Sequence, residues 1–410
     1  MEKDRLWVGA LMTLNGSTPI TYANRADHGR QRRAFSHSFS NTTLKEQEPL
    51  IRLHIHKLVD RLAELGEAGK PANIKDWYIF STLDIIGDLY FGSPFGCLDL
   101  GTGTEWSRGL MAAQRCGLYE QATRRVGGHD TWLQRKLVEY VVPATSKQGK
   151  LTHYLNSKDK TMERLQDEQS EHRDFIYYIL RNNEAKKLLT PTEIILNSSV
   201  FIGAASDTTA TTLTALTYLI LTHPEAYNTL VAEIREQCAT VEDINFANIK
   251  DLEYLGAVIN ESLRMFSPVT PGFLRTVPPN GQGAMIDNNY VAPGVTVSVH
   301  QWAASHSNVN WTRPGEFLPE RWLRPDDFPH DKRHAMQPFS MGPRGCIGKN
   351  LANMELRLFV AQLLWTFDME LEGGKQGAWR WDPAGEMKHI KAYMTFERPD
   401  LWVKVKKVAR

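Results

Sequence analysis

The sequence contains 410 residues, of which 42% are apolar, which is enough for one large domain or for two to three small ones. The formal net charge is only +1, so no large basic field favours nucleic acid, and no nucleic-acid partner is expected. The four cysteines are widely spaced and show neither metal-ligand spacing nor a disulfide framework, which favours a reducing compartment: Cys97, Cys116, Cys238 and Cys346.

The first half of the chain predicts a series of helices. No run of about 18 apolar residues and no signal-peptide core is found, and residues 1–24 are only weakly patterned. Leu44 to Leu65 predict a long amphipathic helix that is closed by Gly66, and Ile74 to Leu89 predict a second one. A glycine-rich loop is expected over 92–103, and His172 to Arg181 indicate a further helix.

A long buried helix is predicted to begin at Thr190. Thr190 is suited to the N-cap, Pro191 to the first turn, and Glu193 completes a capping box. The helical pattern then continues to about Thr222, which corresponds to a length of roughly 45 Å. Because this segment is apolar on most sides, we expect it to cross the interior of the domain.

The second half mixes helices with short strands. Helices are predicted from Pro224, over 251–266 and over 349–367, and strand-like runs are predicted at 283–286, 289–291 and 295–299. Residues 303–345 form a long irregular stretch, which in a compact domain is usually functional. The predicted fold class is mainly α with a minor β part, with residues 25–410 as a single domain after the N-terminal segment.

A single cysteine lies in a glycine-rich loop directly before the last predicted helix. Residues 339–348 read Phe-x-x-Gly-x-Arg-x-Cys-x-Gly, with Cys346 close to the helix N-terminus and to Arg344, which favours a thiolate. Gly345 and Gly348 lack a Cβ atom and allow a flat partner to approach. A low-pKa thiolate that faces a planar partner is what a haem iron requires from an axial cysteine. The alternative is a buried structural cysteine in a turn.

Two further pairs combine an acidic side chain with a possible partner. Glu261 and Arg264 are three residues apart on one helix face, which alone is typical of an exposed ion pair. Asp207 and Thr208 lie side by side in the apolar centre of the long helix, where polar groups are costly unless they are used. The Thr208 hydroxyl has the alternative of bonding the carbonyl one turn earlier.

Together these strings resemble the cytochrome P450 family, and in particular fungal members of secondary metabolism, over about residues 22–400. The cysteine loop matches at every fixed position and continues through Asn350-Leu351-Ala352 and Glu355. Glu-x-x-Arg at 261–264 and Pro-Glu-Arg-Trp at 319–322 are similar to two other signatures of the family. Less specific similarities lie at 26–33, 172–176 and 300–304. The resemblance implies the cytochrome P450 fold.

The resemblance also implies roles for individual residues. Cys346 would ligate the iron of haem b, Asp207 and Thr208 would deliver protons, and Ala205 stands where the family usually has glycine. A buried structural triad would hold the cysteine loop in place: Glu261, Arg264 and Arg321. The cofactor-binding residues would be His28, Arg32, Arg275, Phe339, Arg344, Cys346 and Gly348, although His28 and Arg32 could instead belong to a solvated basic face. Candidate substrate contacts are Phe201, Ala204, Val269 and Phe273.

By resemblance, the chain is a haem-thiolate monooxygenase that inserts one atom of O2 into an apolar small molecule. Its electrons would come from NADPH through a separate cytochrome P450 reductase, for which Lys349 and Arg357 are docking candidates. The alternatives are a haem-thiolate isomerase or dehydratase, and an inactive haem-binding remnant. Family members of this type usually begin with a membrane anchor and first strands, which this sequence is expected to lack. The endoplasmic reticulum membrane, at its cytosolic face, is implied by resemblance, and the cytoplasm is the alternative.

Overall fold

A computed structural model describes residues 1–4, 13–167, 172–184, 188–269, 272–381, 389–393 and 395–409. Most of the described chain is helical, as the sequence predicts. The helices are α1 (Arg25–Phe35), α2 (Asn41–Glu67), α3 (Ile74–Phe91), α4 (Cys97–Leu100), α5 (Glu105–Gly127), α6 (Trp132–Val141), α7 (Ala144–Gln166), α8 (Phe175–Glu184), α9 (Pro191–Thr222), α10 (Pro224–Gln237), α11 (Phe246–Ile249), α12 (Glu253–Met265), α13 (Gln301–His306), α14 (Glu320–Leu323), α15 (Lys349–Thr366) and α16 (Gly374–Gly377).

The strands are short and form small antiparallel sheets. They are β1 (Glu2–Lys3), β2 (Ala72–Asn73), β3 (Arg275–Thr276), β4 (Ala284–Ile286), β5 (Asn289–Val291), β6 (Thr296–Val297), β7 (Phe367–Leu371), β8 (Lys391–Ala392), β9 (Phe396–Glu397) and β10 (Trp402–Lys407). Two sheets have three strands, in the orders β1-β3-β6 and β2-β10-β7, and the pairs β4-β5 and β8-β9 form hairpins. In the largest pairing Val403 lies opposite Leu371. The predicted fold class, mainly α with a minor β part, is confirmed.

The long helix α9 forms as predicted because its start is fixed by side chains. The Glu193 amide donates to Thr190 Oγ1 over 3.2 Å, and the Thr190 amide donates to Glu193 Oε2 over 2.9 Å, which completes the capping box. The helix packs against α3, α7, α12 and α15, and its centre is buried. Helix α9 therefore forms one side of the cavity that contains the candidate site.

Several boundaries differ from the prediction for local reasons. Helix α2 begins at Asn41, where Ser40 acts as the N-cap, and it continues one residue beyond Gly66. Gly66 is needed for packing rather than for ending the helix, because a Cβ atom there would lie 2.6 Å from the carbonyl oxygen of Val405. Helix α8 begins at Phe175 rather than His172, since the Asp174 carboxylate accepts from the Tyr177 amide over 2.7 Å. The expected loop at 92–103 contains the short helix α4.

The N-terminal residues contribute a strand that the sequence does not predict. Glu2 and Lys3 pair with Thr276 and Arg275 of β3, and the Asp4 carboxylate accepts hydrogen bonds from the Thr276 and Thr296 hydroxyls. A two-residue strand is too short to show a periodicity in the sequence. Its partner strand lies about 270 residues away along the chain, so no local pattern indicates the pairing either. The division into a segment 1–24 and a domain 25–410 stays a prediction.

Candidate active site

A cavity of about 270 Å3 lies between α1, α9, α15 and the loop that precedes α15. Most of the site residues predicted from the sequence line it, namely His28, Arg32, Phe201, Ala204, Thr208, Val269, Phe273, Phe339, Arg344, Cys346 and Gly348. The predicted residues Asp207, Arg275, Glu261, Arg264 and Arg321 lie outside the lining. Residues 270 and 271, which lie between the predicted substrate contacts Val269 and Phe273, fall outside the described residues.

The loop before α15 turns its cysteine towards this cavity. The Cys346 amide donates to the Phe339 carbonyl over 2.7 Å, and the Gly345 amide donates to the Gly342 carbonyl over 2.9 Å. Gly342 has a φ of +73°, a conformation that glycine adopts at little cost. The other three cysteines of the chain are buried, whereas Cys346 is accessible. The loop therefore presents one thiol to the cavity.

The protonation of this thiol differs from the sequence prediction. The walls of the cavity desolvate Cys346, and this burial raises the pKa of its thiol. A hydrogen bond from the Gly348 amide and the charges of Arg32 and Lys349 act in the opposite direction but do not outweigh burial. The expectation that the helix N-terminus and Arg344 favour a thiolate is therefore not met by the protein without a ligand. A coordinated metal ion deprotonates a thiol outright and would restore the thiolate.

Positively charged groups gather beside the cysteine loop. Arg32 donates to the Gly345 carbonyl over 2.7 Å, and Arg344 donates to the Ala23 carbonyl over 2.9 Å, so that both guanidinium groups are fixed. Burial, followed by the charges of Arg344, Arg32 and other cations, lowers the pKa of His28 to about 4. This concentration of positive charge favours an anionic ligand.

Lys3 is a member of this cation cluster that the sequence did not reveal. Its side chain lines the cavity, and burial together with the charges of Arg275 and Arg344 lowers its pKa to about 7. Strand β1 brings Lys3 next to Arg275 on β3, with the two residues directly paired. No local signal identifies Lys3, because its position depends on pairing with a distant strand.

The acid and the alcohol of the long helix point in different directions. Thr208 lines the cavity, and its hydroxyl donates to the Ala204 carbonyl over 2.6 Å. The Asp207 carboxylate is fully buried and forms an ion pair of 2.9 Å with Arg398. It also accepts a hydrogen bond from Thr395, whose hydroxyl contacts Gln114 of α5. Asp207 is thus tied to the C-terminal hairpin and to α5, on the far side of α9 from the cavity.

Asp207 and Thr208 should therefore differ in their contribution to stability. Asp207→Asn leaves the Arg398 charge buried without its partner, and we expect it to lower the free energy of unfolding by about 3 kcal/mol. Thr208→Val removes a hydrogen bond within its own helix and is expected to cost at most about 1 kcal/mol. Denaturant unfolding of both variants measures the difference. Equal stability of the two variants would contradict this assignment of the ion pair.

The predicted triad is brought together as a buried cluster. Glu261 Oε1 accepts from Arg264 Nη2 over 2.8 Å and from Arg321 Nε over 3.0 Å, and Glu261 Oε2 accepts from Arg264 Nε over 3.0 Å. All three side chains are fully buried. Arg264 also donates to the carbonyls of Ser305, Pro314 and Glu316, which fixes the irregular stretch after β6.

Two members of this cluster were missed by the sequence analysis. Asp331 forms an ion pair with Arg321, so that two buried carboxylates balance two buried guanidinium groups. Although burial acts to raise the pKa of Asp331, hydrogen bonds from the Thr312 amide and from Arg321 outweigh it and lower the pKa. Trp322 Nε1 donates to Glu261 Oε2 over 2.9 Å. Trp322 is the last residue of the Pro-Glu-Arg-Trp motif, whereas no motif or periodic pattern in the sequence includes Asp331.

In the part of the chain that the structure describes, no helix combines the length and the apolar composition that a membrane crossing requires.

Together, the mainly helical fold, the accessible cysteine before α15 and the buried Glu–Arg cluster are the features expected of a helical haem-dependent oxidoreductase. A family model described as Cytochrome P450 matches residues 3–378. The chain therefore belongs to the cytochrome P450 family and is a monooxygenase of that family. The resemblance inferred from the motifs is confirmed.

Curated relatives from several fungi are similar over nearly the whole chain. Cytochrome P450 monooxygenase aba2 of Botryotinia fuckeliana is 45% identical over 100% of this chain and 78% of its own length. Cytochrome P450 monooxygenase ABA2 of Pyricularia oryzae is 42% identical over 100% of this chain and 79% of its own length. Cytochrome P450 monooxygenase astJ of Aspergillus oryzae is 39% identical over 95% of this chain and 75% of its own length.

Proposed function

We propose that this monooxygenase binds haem b through Cys346 and inserts one atom of O2 into an apolar small molecule of fungal secondary metabolism. NADPH would supply the electrons through a separate cytochrome P450 reductase. One observation carries the proposal, namely that the accessible Cys346 thiol, a cluster of cations and an apolar wall share one cavity. The fungal relatives at 39–45% identity, all called cytochrome P450 monooxygenases, support the reaction class.

The residues around the cavity fit the chemistry of haem b. The ring needs an axial ligand for its iron, which the Cys346 sulfur would provide. Its two propionate carboxylates need cations, and Lys3, Arg32 and Arg344 line the cavity. Arg275 is paired with Lys3 on the neighbouring strand, and His28, whose pKa is lowered to about 4, would act as a neutral hydrogen-bond donor. The ring faces need apolar partners, and Phe339 and Gly348 line the same cavity as the thiol. When bound, the haem supplies the oxygen-activating chemistry, and the protein supplies ligand, orientation and proton path.

The long helix would supply the proton path and part of the substrate wall. We propose that the Thr208 hydroxyl holds a proton at the cavity surface and that Asp207 replenishes it. Because the Asp207 carboxylate is paired with Arg398, this relay requires the carboxylate to leave that ion pair. Phe201, Ala204, Val269 and Phe273 would hold the apolar substrate and exclude water.

The assignment of partners follows from the family resemblance. Lys349 is exposed at the start of α15 and remains our candidate contact for the acidic reductase. Arg357 is less suited, because it donates to the Ile249 and Leu252 carbonyls, each over 3.3 Å, and burial lowers its pKa. We propose the cytosolic face of the endoplasmic reticulum membrane as the place of action, by resemblance, with the cytoplasm as the alternative.

Reconstitution of the full chain with haem b tests the proposal. We expect the reduced protein to show the carbon monoxide difference band of a thiolate-ligated haem. With reductase and NADPH under 18O2, we expect one 18O atom in the oxidised product from a panel of apolar small molecules. A thiolate band without any NADPH-dependent incorporation would instead support an isomerase or dehydratase. An imidazole-like band, or none, would contradict the proposed ligand.

A further inference from the structure

Thr21 carries a buried polar atom in the cavity wall for which the proposed function has no use. The residue lines the cavity from the segment that precedes α1, and its Oγ1 atom is buried. Within the described residues, no group forms a hydrogen bond with this oxygen. A buried hydroxyl without a partner is costly, so we expect its partner to be a molecule that occupies the cavity.

Two other threonines of the cavity wall use their hydroxyls within α9. Thr208 donates to the Ala204 carbonyl over 2.6 Å, and Thr212 donates to the Thr208 carbonyl over 3.0 Å. A threonine inside a helix can satisfy its hydroxyl in this way, whereas Thr21 lies in a turn before α1. The Thr21 hydroxyl is therefore available to a ligand, unlike the hydroxyls of Thr208 and Thr212.

The turn that carries Thr21 is held in place on both sides. Before it, the Ile20 amide donates to the Asn197 side chain of α9 over 2.8 Å. After it, the Ala23 carbonyl accepts from the Arg344 guanidinium group over 2.9 Å. Because the backbone is already fixed at both points, the Thr21 hydroxyl loses little conformational freedom when it binds a ligand.

The cavity wall that adjoins this turn is apolar. Ile20 on the same turn lines the cavity, and Asn197, which binds the turn, lies one helical turn before Phe201 of α9. Phe201 and Ala204 continue the wall along the helix. A polar atom thus lies beside the apolar residues that are proposed to hold the substrate, and a few polar groups in an apolar pocket are what orient a ligand.

We propose that the Thr21 hydroxyl binds an oxygen atom of the substrate, so that the preferred substrate is an apolar molecule with a carbonyl or hydroxyl group. The inference rests on the proposed monooxygenase function, because it concerns the molecule which that function oxidises. The Thr21 O–H donates to the substrate oxygen, while the hydrocarbon part of the substrate packs against the apolar wall. A hydrogen bond at one end of the molecule fixes its orientation and thereby which carbon is oxidised.

The first measurement is made on the haem-free protein. Thr21→Val replaces the hydroxyl with a methyl group of similar size, and the denaturant midpoint of unfolding should stay the same or rise, because no hydrogen bond within the protein is lost. Thr212→Val is the matched control, since it removes a hydrogen bond within α9 and should lower the midpoint. If Thr21→Val lowered the midpoint as much as Thr212→Val, the protein would already use the Thr21 hydroxyl, and the inference would be overturned.

The second measurement compares equilibrium binding of ligands to the reconstituted protein. The probes are adamantane, decalin and cyclododecane, together with a ketone of each skeleton. The ratio of the hydrocarbon Kd to the ketone Kd should be about tenfold larger for the wild-type protein than for Thr21→Val with at least one skeleton, which is the effect of one buried hydrogen bond. Thr21→Ser, which keeps the hydroxyl, and Thr212→Val should both retain the wild-type ratio.

Turnover of the preferred ketone gives a further readout of orientation. With reductase and NADPH, the wild-type protein should oxidise this ketone mainly at one position, whereas Thr21→Val should give several product isomers. No difference in the Kd ratio between the wild-type protein and Thr21→Val across all three skeletons would overturn the inference. Failure of the proposed function has a different signature, because the wild-type protein would then lack the thiolate band.

Discussion

Replacing Cys346 with serine is expected to abolish the thiolate band of the reduced carbon monoxide complex. The serine hydroxyl has nearly the same size but is a far weaker ligand for haem iron than a thiolate. Product formation should fall by roughly 10³-fold or more, which corresponds to about 4 kcal/mol in the activation barrier. The measurement is the difference spectrum of the reconstituted variant, followed by its NADPH-dependent turnover.

A buried cysteine outside the cavity serves as the control for this substitution. Cys97 is fully buried, and its sulfur lies 4.0 Å from the Thr104 hydroxyl. Cys97→Ala should keep the thiolate band and lower stability by about 1 kcal/mol. A thiolate band in Cys346→Ser, or its loss in Cys97→Ala with the fold intact, would exclude Cys346 as the ligand.

The parts of the fold that sequence could predict are those with local causes. Helix α9 was predicted because Thr190, Pro191 and Glu193 mark its start and an apolar pattern continues for the whole of its length. Helix α15 was predicted within one residue at its end. The strand-like runs predicted at 283–286 and 289–291 correspond to β4 and β5. In each case the information lies within a short window of the chain.

The parts that could not be predicted depend on contacts between distant residues. Lys3 joins the cation cluster through a strand pairing with Arg275, and Asp331 joins the Glu261 cluster from within an irregular loop. Arg398 reaches Asp207 across about 190 residues of sequence. None of these partners leaves a periodic or motif signal, because only the folded chain brings the two groups together.

The orientation of the acid–alcohol pair shows the limit of motif reasoning. Adjacent residues of a helix differ by about 100° in direction, and here Thr208 lines the cavity, whereas the Asp207 carboxylate pairs with Arg398 outside the lining. The motif predicted that both residues deliver protons, but it did not specify which of them borders the cavity. Glu355 was recognised only as part of a matching string, and its burial beside Thr209 became visible in the structure.

Glu261→Gln is expected to have the largest effect on folding of all the substitutions considered. The two oxygen atoms of Glu261 each accept more than one hydrogen bond, from Arg264 and Arg321, from the Leu318 amide and from Trp322. Glutamine would place an amide NH2 group against at least two of these donors and would remove one of the two negative charges of the cluster. Two buried guanidinium groups would then share only Asp331, so the free energy of unfolding should fall by about 3–5 kcal/mol.

Glu316→Gln provides the matched control in the same loop. Glu316 pairs with Arg313 over 3.1 Å, but both side chains are about half exposed, so water screens the pair and its loss should cost no more than about 1 kcal/mol. Denaturant titration of both variants, followed by circular dichroism, compares them directly. A Glu261→Gln protein as stable as Glu316→Gln would mean that the cluster does not hold the loop. Because Arg264 binds three carbonyl groups of that loop, a destabilised cluster should also release the segment that carries Cys346, and haem affinity should fall together with stability.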